Sequence, residues 1–361
     1  MSQAVKCVLV MAGGTGGHIF PGLAVAQALR EQGWRVHWLG GRGSASSPSM
    51  ESQLVPAQGF VFETIDFGGL RGKGLSTLAL LPLRLLKAFW QSIRVLRRVN
   101  PDVVVGLGGY ITFPAGMMAV LLGKPLVLHE QNSVAGLANK VLAGVADRVF
   151  TAFPNVFKTA RWVGNPLRSE FLNVPPPDQR FAGRNGPLQV LVVGGSLGAK
   201  ALNEIVPQAL ALMPPAQRPQ VLHQSGAKQI EALRANYQAA GVSAQLTPFI
   251  DDTAQAFADA DLVICRSGAS TVTEIAAVGA AALFVPFPFA VDDHQTSNAR
   301  FLVDGQAAWL VPQAQLSPQY LAEMLSRTDR HVLMSKGLEA KKMQKLDATE
   351  QVVLACEELA R

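Results

Sequence analysis

The sequence predicts an α/β protein built from two doubly wound, Rossmann-like domains facing one cleft. Three observations predict it. Two glycine-rich turns lie roughly half a chain apart, each at the end of an apolar run: Val8-Leu9-Val10-Met11-Ala12 enters Gly13-Gly14-Thr15-Gly16-Gly17-His18, and Val190-Leu191-Val192-Val193 enters Gly194-Gly195-Ser196-Leu197-Gly198-Ala199. Short apolar runs alternate with helical patterns in both halves, the signature of parallel sheets with crossover helices. Between them, residues 164–187 break the alternation with Pro175-Pro176-Pro177, Gly183 and Gly186 and read as a linker.

In the first half the expected strands are residues 6–12, 35–39, 61–65, 102–106, 126–128 and 148–152. The second half repeats the pattern at 189–193, 220–224, 244–248, 261–265, 281–285 and 308–311. Helices are expected directly after the glycine turns, at 21–32 and 200–212, and over most of 317–361. The expected division is 1–164, 165–340 and a C-terminal helix, 341–361.

A strand, a glycine turn and a helix N-terminus together make an anion site. Glycine lets backbone N–H groups approach phosphate oxygens, and the helix dipole favours negative charge. Two such units suit an enzyme that joins two phosphorylated substrates. A nicotinamide site is disfavoured. Its fingerprint, counted from Gly14, would need a third glycine where Ile19 stands, and no acid follows Trp38-Leu39.

Composition narrows the class further. Cys7, Cys265 and Cys356 lie far apart with no CxxC spacing, as expected of buried reduced thiols. No secretory signal or membrane-spanning run is evident; the best apolar stretches are broken by Pro82 and Arg84, or by Pro286 and Pro288. The chain carries 32 basic and 26 acidic residues. Seven of the bases (Arg71, Lys73, Arg84, Lys87, Arg94, Arg97 and Arg98) fall between Asp66 and Asp102, where there is no acid. The basic excess is therefore one local patch, which argues against a nucleic-acid-binding surface.

Four further clusters carry chemistry. His18 sits at a helix start, where the dipole would keep an imidazole neutral and able to accept a proton. Arg266-Ser267-Gly268-Ala269-Ser270-Thr271-Val272-Thr273-Glu274 follows a strand; Glu274 could accept both hydroxyls of a ribose, or Thr271 and Glu274 could form a capping box. His129-Glu130-Gln131-Asn132 and Asp292-Asp293-His294-Gln295 also follow strands, where side chains line the ligand crevice of a doubly wound sheet. Adjacent residues rarely converge on one ion, so no metal site is expected from the second cluster. At helical spacing, residues 84–98 place Leu85, Leu86, Phe89, Trp90, Ile93 and Leu96 on one face and most of the bases on the other. Leu75 and Leu78 extend the apolar surface upstream. Such a helix could lie on an anionic membrane, or could simply pack its apolar face on the sheet.

Taken together, these residues resemble the MurG family, the bacterial transferases that add N-acetylglucosamine to the lipid-linked muramyl-pentapeptide precursor of peptidoglycan. The resemblance spans nearly the whole chain: GGTGGH at 13–18, GGLRGKG at 68–74, GLGGY at 106–110, HEQN at 129–132, VGNP at 163–166, GGSLGA at 194–199, RSGAST at 266–271 and DDHQ at 292–295. Any one is weak, but their joint order is highly specific. One departure is the serine-rich stretch 41–49, which looks longer than the usual loop and carries none of the implied contacts.

The resemblance implies a GT-B architecture, UDP-N-acetylglucosamine as donor and inversion at the anomeric carbon. It implies donor contacts at Thr15, Gly16, Gly17, Asn132, Arg168, Ser196, Ile250, Ala269, Ser270, Thr271, Val272, Thr273, Glu274 and Gln295. Within that set, Ile250 would hold uracil by its backbone, Glu274 the ribose, Arg168 and Ser196 the pyrophosphate, and Asn132 and Gln295 the sugar. Gly13, Gly14 and Tyr110 would face the diphosphate of the undecaprenyl-linked acceptor. His18 is the candidate base and Glu130 the reserve. Leu75, Leu78, Arg84, Lys87, Phe89, Trp90 and Arg94 would meet an anionic membrane surface, on the cytoplasmic face of the inner membrane. No cofactor is implied, and other wall-synthesis proteins are conceivable partners. Two rival readings share the same features: a UDP-N-acetylglucosamine 2-epimerase, which would have no use for the basic apolar patch, and a non-catalytic UDP-sugar-binding scaffold.

Overall fold

The apolar run that opens the chain becomes β1 (Cys7–Met11), every residue of it buried, flanked in parallel by β2 (Arg35–Gly41) and β6 (Val103–Gly106). The computed structural model describes residues 5–44, 47–68, 80–195 and 198–360. A two-residue antiparallel pair, β3 (Gly43–Ser44) with β4 (Ser47–Pro48), occupies the serine-rich stretch after β2. With β5 (Val61–Ile65), β7 (Leu126–Glu130), β8 (Arg148–Thr151) and the short β9 (Arg161–Trp162), the first sheet runs β5-β2-β1-β6-β7-β8-β9, all parallel. The second sheet contains β10 (Gln189–Val193), β11 (Gln220–Gln224), β12 (Gln245–Thr247), β13 (Leu262–Cys265), β14 (Ala282–Phe284) and β15 (Ala308–Leu310), in the order β12-β11-β10-β13-β14-β15. Both sheets share the doubly wound order in which the first strand lies between the second and the fourth. Ligands of such sheets bind where the winding reverses, beyond the carboxyl ends of those central strands. Here those strands are β1 and β6 in one sheet, and β10 and β13 in the other.

By internal contacts the chain forms two units: residues up to Arg168 together with Leu346 onward, and Ser169–Lys345. In the first unit, Val25, Ala26 and Leu29 of the helix Gly16–Glu31 share a core with Val352, Val353 and Cys356 of the last helix, Ala348–Leu359. The opposite face of the sheet packs Leu9, Met11 and Val104 against Ala88, Val95 and Leu96 of the helix Leu81–Val99. In the second unit, Val190, Val192 and Ile264 pack with Leu202, Val206 and Leu233 from the helices Lys200–Leu212 and Ile230–Ala240.

The expected strands all form, to within a residue or two of their expected ends. Two expectations change. The first helix begins at Gly16, not Pro21, because Gly16 and Gly17 supply its N-terminal turn after the extended residue Thr15. The stretch expected as a linker is held against the second unit. Its helix Pro177–Phe181 carries Arg180, whose guanidinium donates to the carbonyls of Ala258 (2.7 Å), Val278 (3.0 Å) and Gly279 (2.8 Å). The cysteines are free and buried, and burial pushes the Cys265 and Cys356 thiols well above their usual range.

Candidate functional site

In the first unit the glycine turn after β1 meets the turn after β6. Gly109 adopts φ +90°, and a Cβ there would lie 2.4 Å from the Gly13 carbonyl oxygen, so only glycine allows this approach. Beneath the first turn lies the fully buried carboxylate of Glu51. It accepts the N–H of Gly14 at 3.3 Å and that of Gly41 at 3.2 Å. Glu51 is delivered by the helix Met50–Ala57, which Ser49 caps by accepting from the Ser52 N–H. Tyr110 lies over the same turn, near Gly14 and Gly41, and burial together with the Glu51 charge raises its phenol.

The helix Gly16–Glu31 starts at the mouth of this turn. Thr15 makes no side-chain cap, and its carbonyl accepts from His18 and Ile19. The N–H groups of Gly16 and Gly17 therefore have no partner within the helix and are available to an anion. Arg168 reaches the same neighbourhood, with its guanidinium 5.2 Å from the centroid of the Phe20 ring.

His18 is half-buried, and its Nδ1 lies 2.9 Å from Gln131 Oε1. Gln131 Nε2 in turn donates to His129 Nδ1 (3.2 Å) and to the His129 carbonyl (3.3 Å), while His129 Nε2 lies 2.8 Å from the Gly164 carbonyl. His129 is wholly buried; desolvation, opposed by the Gly164 bond and aided by the nearby His18, lowers it to about 4. Gly108, at φ +94°, leaves room for the His18 ring: a Cβ there would sit 2.8 Å from both Cε1 and Nδ1.

Glu130, the other expected base, is bound on both oxygens. Oε1 accepts from the backbone (2.8 Å) and side-chain (3.4 Å) nitrogens of Asn132; Oε2 accepts from the Gly136 N–H (3.3 Å) and Asn139 Nδ2 (2.8 Å). The carboxylate staples the loop that carries Asn132 to the helix Leu137–Leu142.

In the second unit the glycine turn after β10 is equally constrained. A Cβ on Gly194 would lie 2.4 Å from the Ala199 nitrogen, and one on Gly198 2.0 Å from the Ser225 carbonyl oxygen. Ser196 lies outside the described residues. Gln224 Nε2 donates to the carbonyls of Gly195 and Pro248, both at 3.1 Å, which ties this turn to the segment leading to Ile250.

The helix Ala269–Val278 is capped by Gly268, with no side-chain cap and no acid in its first turn. Thr271 is therefore not an N-cap, and no capping box forms with Glu274. Ser270, Thr271 and Glu274 are partly exposed, while Ala269, Val272 and Thr273 face inward, so Val272 has only its backbone to offer a ligand. Arg266 turns back, donating to the carbonyls of Val285 (2.9 Å) and Pro286 (3.0 Å). Gln295 Oε1 accepts the Phe287 N–H at 2.9 Å, and Asp292 and Asp293 are both left-handed, at φ 52° and 48°. Among the described residues no group of His, Cys, Asp and Glu side chains is arranged to hold a metal ion.

On the helix Leu81–Val99 the expected apolar face divides. Phe89 turns inward, packing on the core with Leu85 and Ile93 and lying 6.2 Å from the Phe113 ring. Leu83, Leu86 and Trp90 face outward, 65%, 63% and 57% exposed, and Arg94 lies 4.7 Å over the Trp90 ring. Arg84 and Lys87 are exposed on the same helix, Lys87 paired with Asp66 at 3.0 Å. Leu75 and Leu78 lie outside the described residues. No helix among the described residues is long and apolar enough to cross a membrane.

The sequence sets His129 and Gln131 in a cluster expected to line the ligand crevice and Gly108 in a motif, without a specific task for any of them, and it does not single out Glu51 or Gln224. For Gln224 the available signal was position, a polar residue at the carboxyl end of a strand.

Two family models match this chain: the N-terminal domain of glycosyltransferase family 28 over residues 8–151 and the C-terminal domain of the same family over residues 189–353. A UDP-N-acetylglucosamine–N-acetylmuramyl-(pentapeptide) pyrophosphoryl-undecaprenol N-acetylglucosamine transferase from a Polaromonas species is 76% identical over 360 residues, covering 100% of this chain and 93% of the relative. A protein of the same description from Paracidovorax citrulli is 71% identical over 354 residues, covering 98% of each chain. Among solved structures, the crystal structure of Acinetobacter baumannii MurG matches with a TM-score of 0.83 at 40% identity, covering 98% of this chain and 99% of that one.

Proposed function

This chain belongs to glycosyltransferase family 28, and we propose that it moves N-acetylglucosamine from UDP-N-acetylglucosamine to the 4-hydroxyl of the muramyl sugar on undecaprenyl-diphosphate-linked muramyl-pentapeptide, a step of peptidoglycan synthesis. The observation that carries this reading is full-length identity of 76% to a transferase of that description.

The mechanism we assign is a single in-line displacement. The acceptor oxygen attacks the anomeric carbon, the bond from that carbon to the UDP oxygen breaks, and the configuration inverts. His18 Nε2 takes the hydroxyl proton; Nδ1, already engaged by Gln131, is the wrong nitrogen for it. Glu130 is the poorer candidate, because both its oxygens are already occupied by hydrogen-bond donors of its own loop and the following helix.

UDP leaves with increased negative charge. We assign its pyrophosphate to Ser196, Arg168 and the uncapped N-terminus of the helix Ala269–Val278, whose dipole opposes that charge. Glu274 would accept the ribose hydroxyls, the Ile250 backbone would hold uracil, and Asn132 and Gln295 the sugar. Gln295 is partly committed, since its Oε1 holds Phe287, so its amide nitrogen is the end offered to a hydroxyl. Gly13, Gly14 and Tyr110 would face the acceptor diphosphate, while Thr15, Gly16 and Gly17 would contact the donor from the same turn, the helix N-terminus supplying the N–H groups.

The outward residues Leu83, Leu86 and Trp90, with Arg84, Lys87 and Arg94, form an apolar strip beside bases. We assign it to an anionic membrane surface at the cytoplasmic face, where a lipid-linked acceptor resides.

Transfer of label from UDP-N-acetylglucosamine into a short-chain lipid-linked muramyl-pentapeptide analogue tests the reaction. Label appearing in the lipid fraction is the expected result. UDP release without transfer, or epimerised sugar, would overturn it.

A further inference from the structure

The chain of contacts behind His18 ends on a backbone carbonyl, and that end determines every proton along it. The Gly164 carbonyl oxygen can only accept, so His129 Nε2, 2.8 Å away, carries a hydrogen. His129 is wholly buried, no carboxylate among the described residues bonds its ring, and burial holds it neutral far below physiological pH. A neutral imidazole has one N–H, so His129 Nδ1 is bare and must accept. The Gln131 amide nitrogen donates to it at 3.2 Å, and its second hydrogen goes to the His129 carbonyl at 3.3 Å. Turning the amide over would set its oxygen against a carbonyl oxygen and a bare ring nitrogen, two acceptors. Gln131 Oε1 is thereby aimed at His18 Nδ1, 2.9 Å away, and an amide oxygen can only accept.

We propose that His129 and Gln131 are positioning residues that fix the tautomer of His18, keeping its proton on Nδ1 and leaving Nε2 bare to receive the proton of the attacking hydroxyl. The proposal rests on His18 being the base. The same contact serves both states of the reaction, since Nδ1–H donates to Gln131 Oε1 before and after Nε2 is protonated. No side chain of the relay has to move.

The test uses the full-length chain labelled with ¹⁵N-histidine, with tautomers read from long-range ¹H–¹⁵N correlations at neutral pH and signals assigned from His18 and His129 variants. In the wild type, His129 is expected with its proton on Nε2 and His18 with its proton on Nδ1. Gln131→Met, similar in volume and unable to hydrogen-bond strongly, should shift His18 toward a mixture containing the Nε2–H form. It should lower kcat about 10- to 100-fold, within the range of a misdirected general base, while KM for the donor stays within about twofold, as expected when only the chemical step is affected. A thermal melt of each variant separates these effects from unfolding.

A wild-type His18 proton on Nε2 would overturn the proposal. So would an unchanged His18 spectrum in Gln131→Met, or a changed spectrum with unchanged kcat. Transfer that survives in His18→Ala, beside the expected wild-type spectrum, would instead remove His18 as the base while the spectrum upholds the tautomer lock.

Discussion

Glu51 supports Gly14 from below: its buried carboxylate accepts the Gly14 N–H at 3.3 Å and, through the other oxygen, the Gly41 N–H at 3.2 Å. The turn proposed to meet a diphosphate is thus shaped by an internal anion that already uses one of its N–H groups. Removing that carboxylate strands the buried Gly41 N–H and opens space under Gly13. Glu51→Ala is expected to cost about 2–3 kcal/mol, the scale of an unsatisfied buried donor plus a small cavity. Urea unfolding checks it, and an unchanged midpoint would mean that water replaces the carboxylate at no cost.

Gly108 offers a more local probe. Its φ of +94° is strained for any other residue, and a Cβ would press within 2.8 Å of the His18 ring. Gly108→Ala should displace His18 from Gln131 and lower kcat by about 10-fold or more, since a base displaced by a fraction of an ångström loses its alignment. The fold should survive, at a strain cost of about 1–3 kcal/mol. Label transfer measured beside a melting curve distinguishes the two effects; full activity in Gly108→Ala would show that the ring tolerates the shift.

Much of this architecture was legible because parallel strands buried on both faces are continuous apolar runs, and β1, β10 and β13 are such runs. The glycine turns were legible for a related reason: only glycine permits the close backbone approaches at Gly109, Gly194 and Gly198. What remained hidden depends on partners remote in the chain. Glu51 meets Gly14 across 37 residues and Gln131 meets His18 across 113, and no local spacing encodes either contact. The start of the first helix was misplaced because Gly16 and Gly17 resemble helix breakers, although glycine is tolerated in an N-terminal turn. On the helix Leu81–Val99, Phe89 and Trp90 are about 100° apart, close enough for one helical wheel to hold both, while the sheet takes only Phe89.

The two buried histidines predict how stability depends on pH. His129 is lowered from 6.5 to about 4, and His223, desolvated between Tyr237 and Asn203, to about 3. The unfolded chain protonates these groups near 6.5, whereas the folded chain resists. Between those limits the unfolded state binds more protons, so their contribution is intact above about pH 6.5 and is lost as pH falls toward 4. Each histidine contributes a slope approaching about 1.4 kcal/mol per pH unit within that window. Urea midpoints should therefore drop between pH 7.5 and pH 5, more steeply in wild type than in a folded His223→Gln variant. A flat profile over that interval would show that both rings protonate freely in the folded protein.

The divided face of the helix Leu81–Val99 separates the strip proposed to meet a membrane from the packing face by one residue. Trp90 is 57% exposed with Arg94 over its ring, whereas Phe89 packs with Leu85 and Ile93 against the sheet. Trp90→Ser should lower the melting temperature less than Phe89→Ser does, because more than half of the Trp90 side chain is exposed. It should nevertheless weaken sedimentation with vesicles containing anionic lipid, since an interfacial tryptophan and its neighbouring bases act together. Phe89→Ser should do the reverse, losing about 2–4 kcal/mol of stability through a partly filled core site while the folded fraction keeps its vesicle affinity. Raising the salt concentration should weaken binding of wild type and of Trp90→Ser alike, because Arg84, Lys87 and Arg94 remain in both and their attraction is screened. Equal vesicle binding by wild type and Trp90→Ser would remove this strip from the membrane interface. Equal losses from the two substitutions would mean that the helix must unpack to bind.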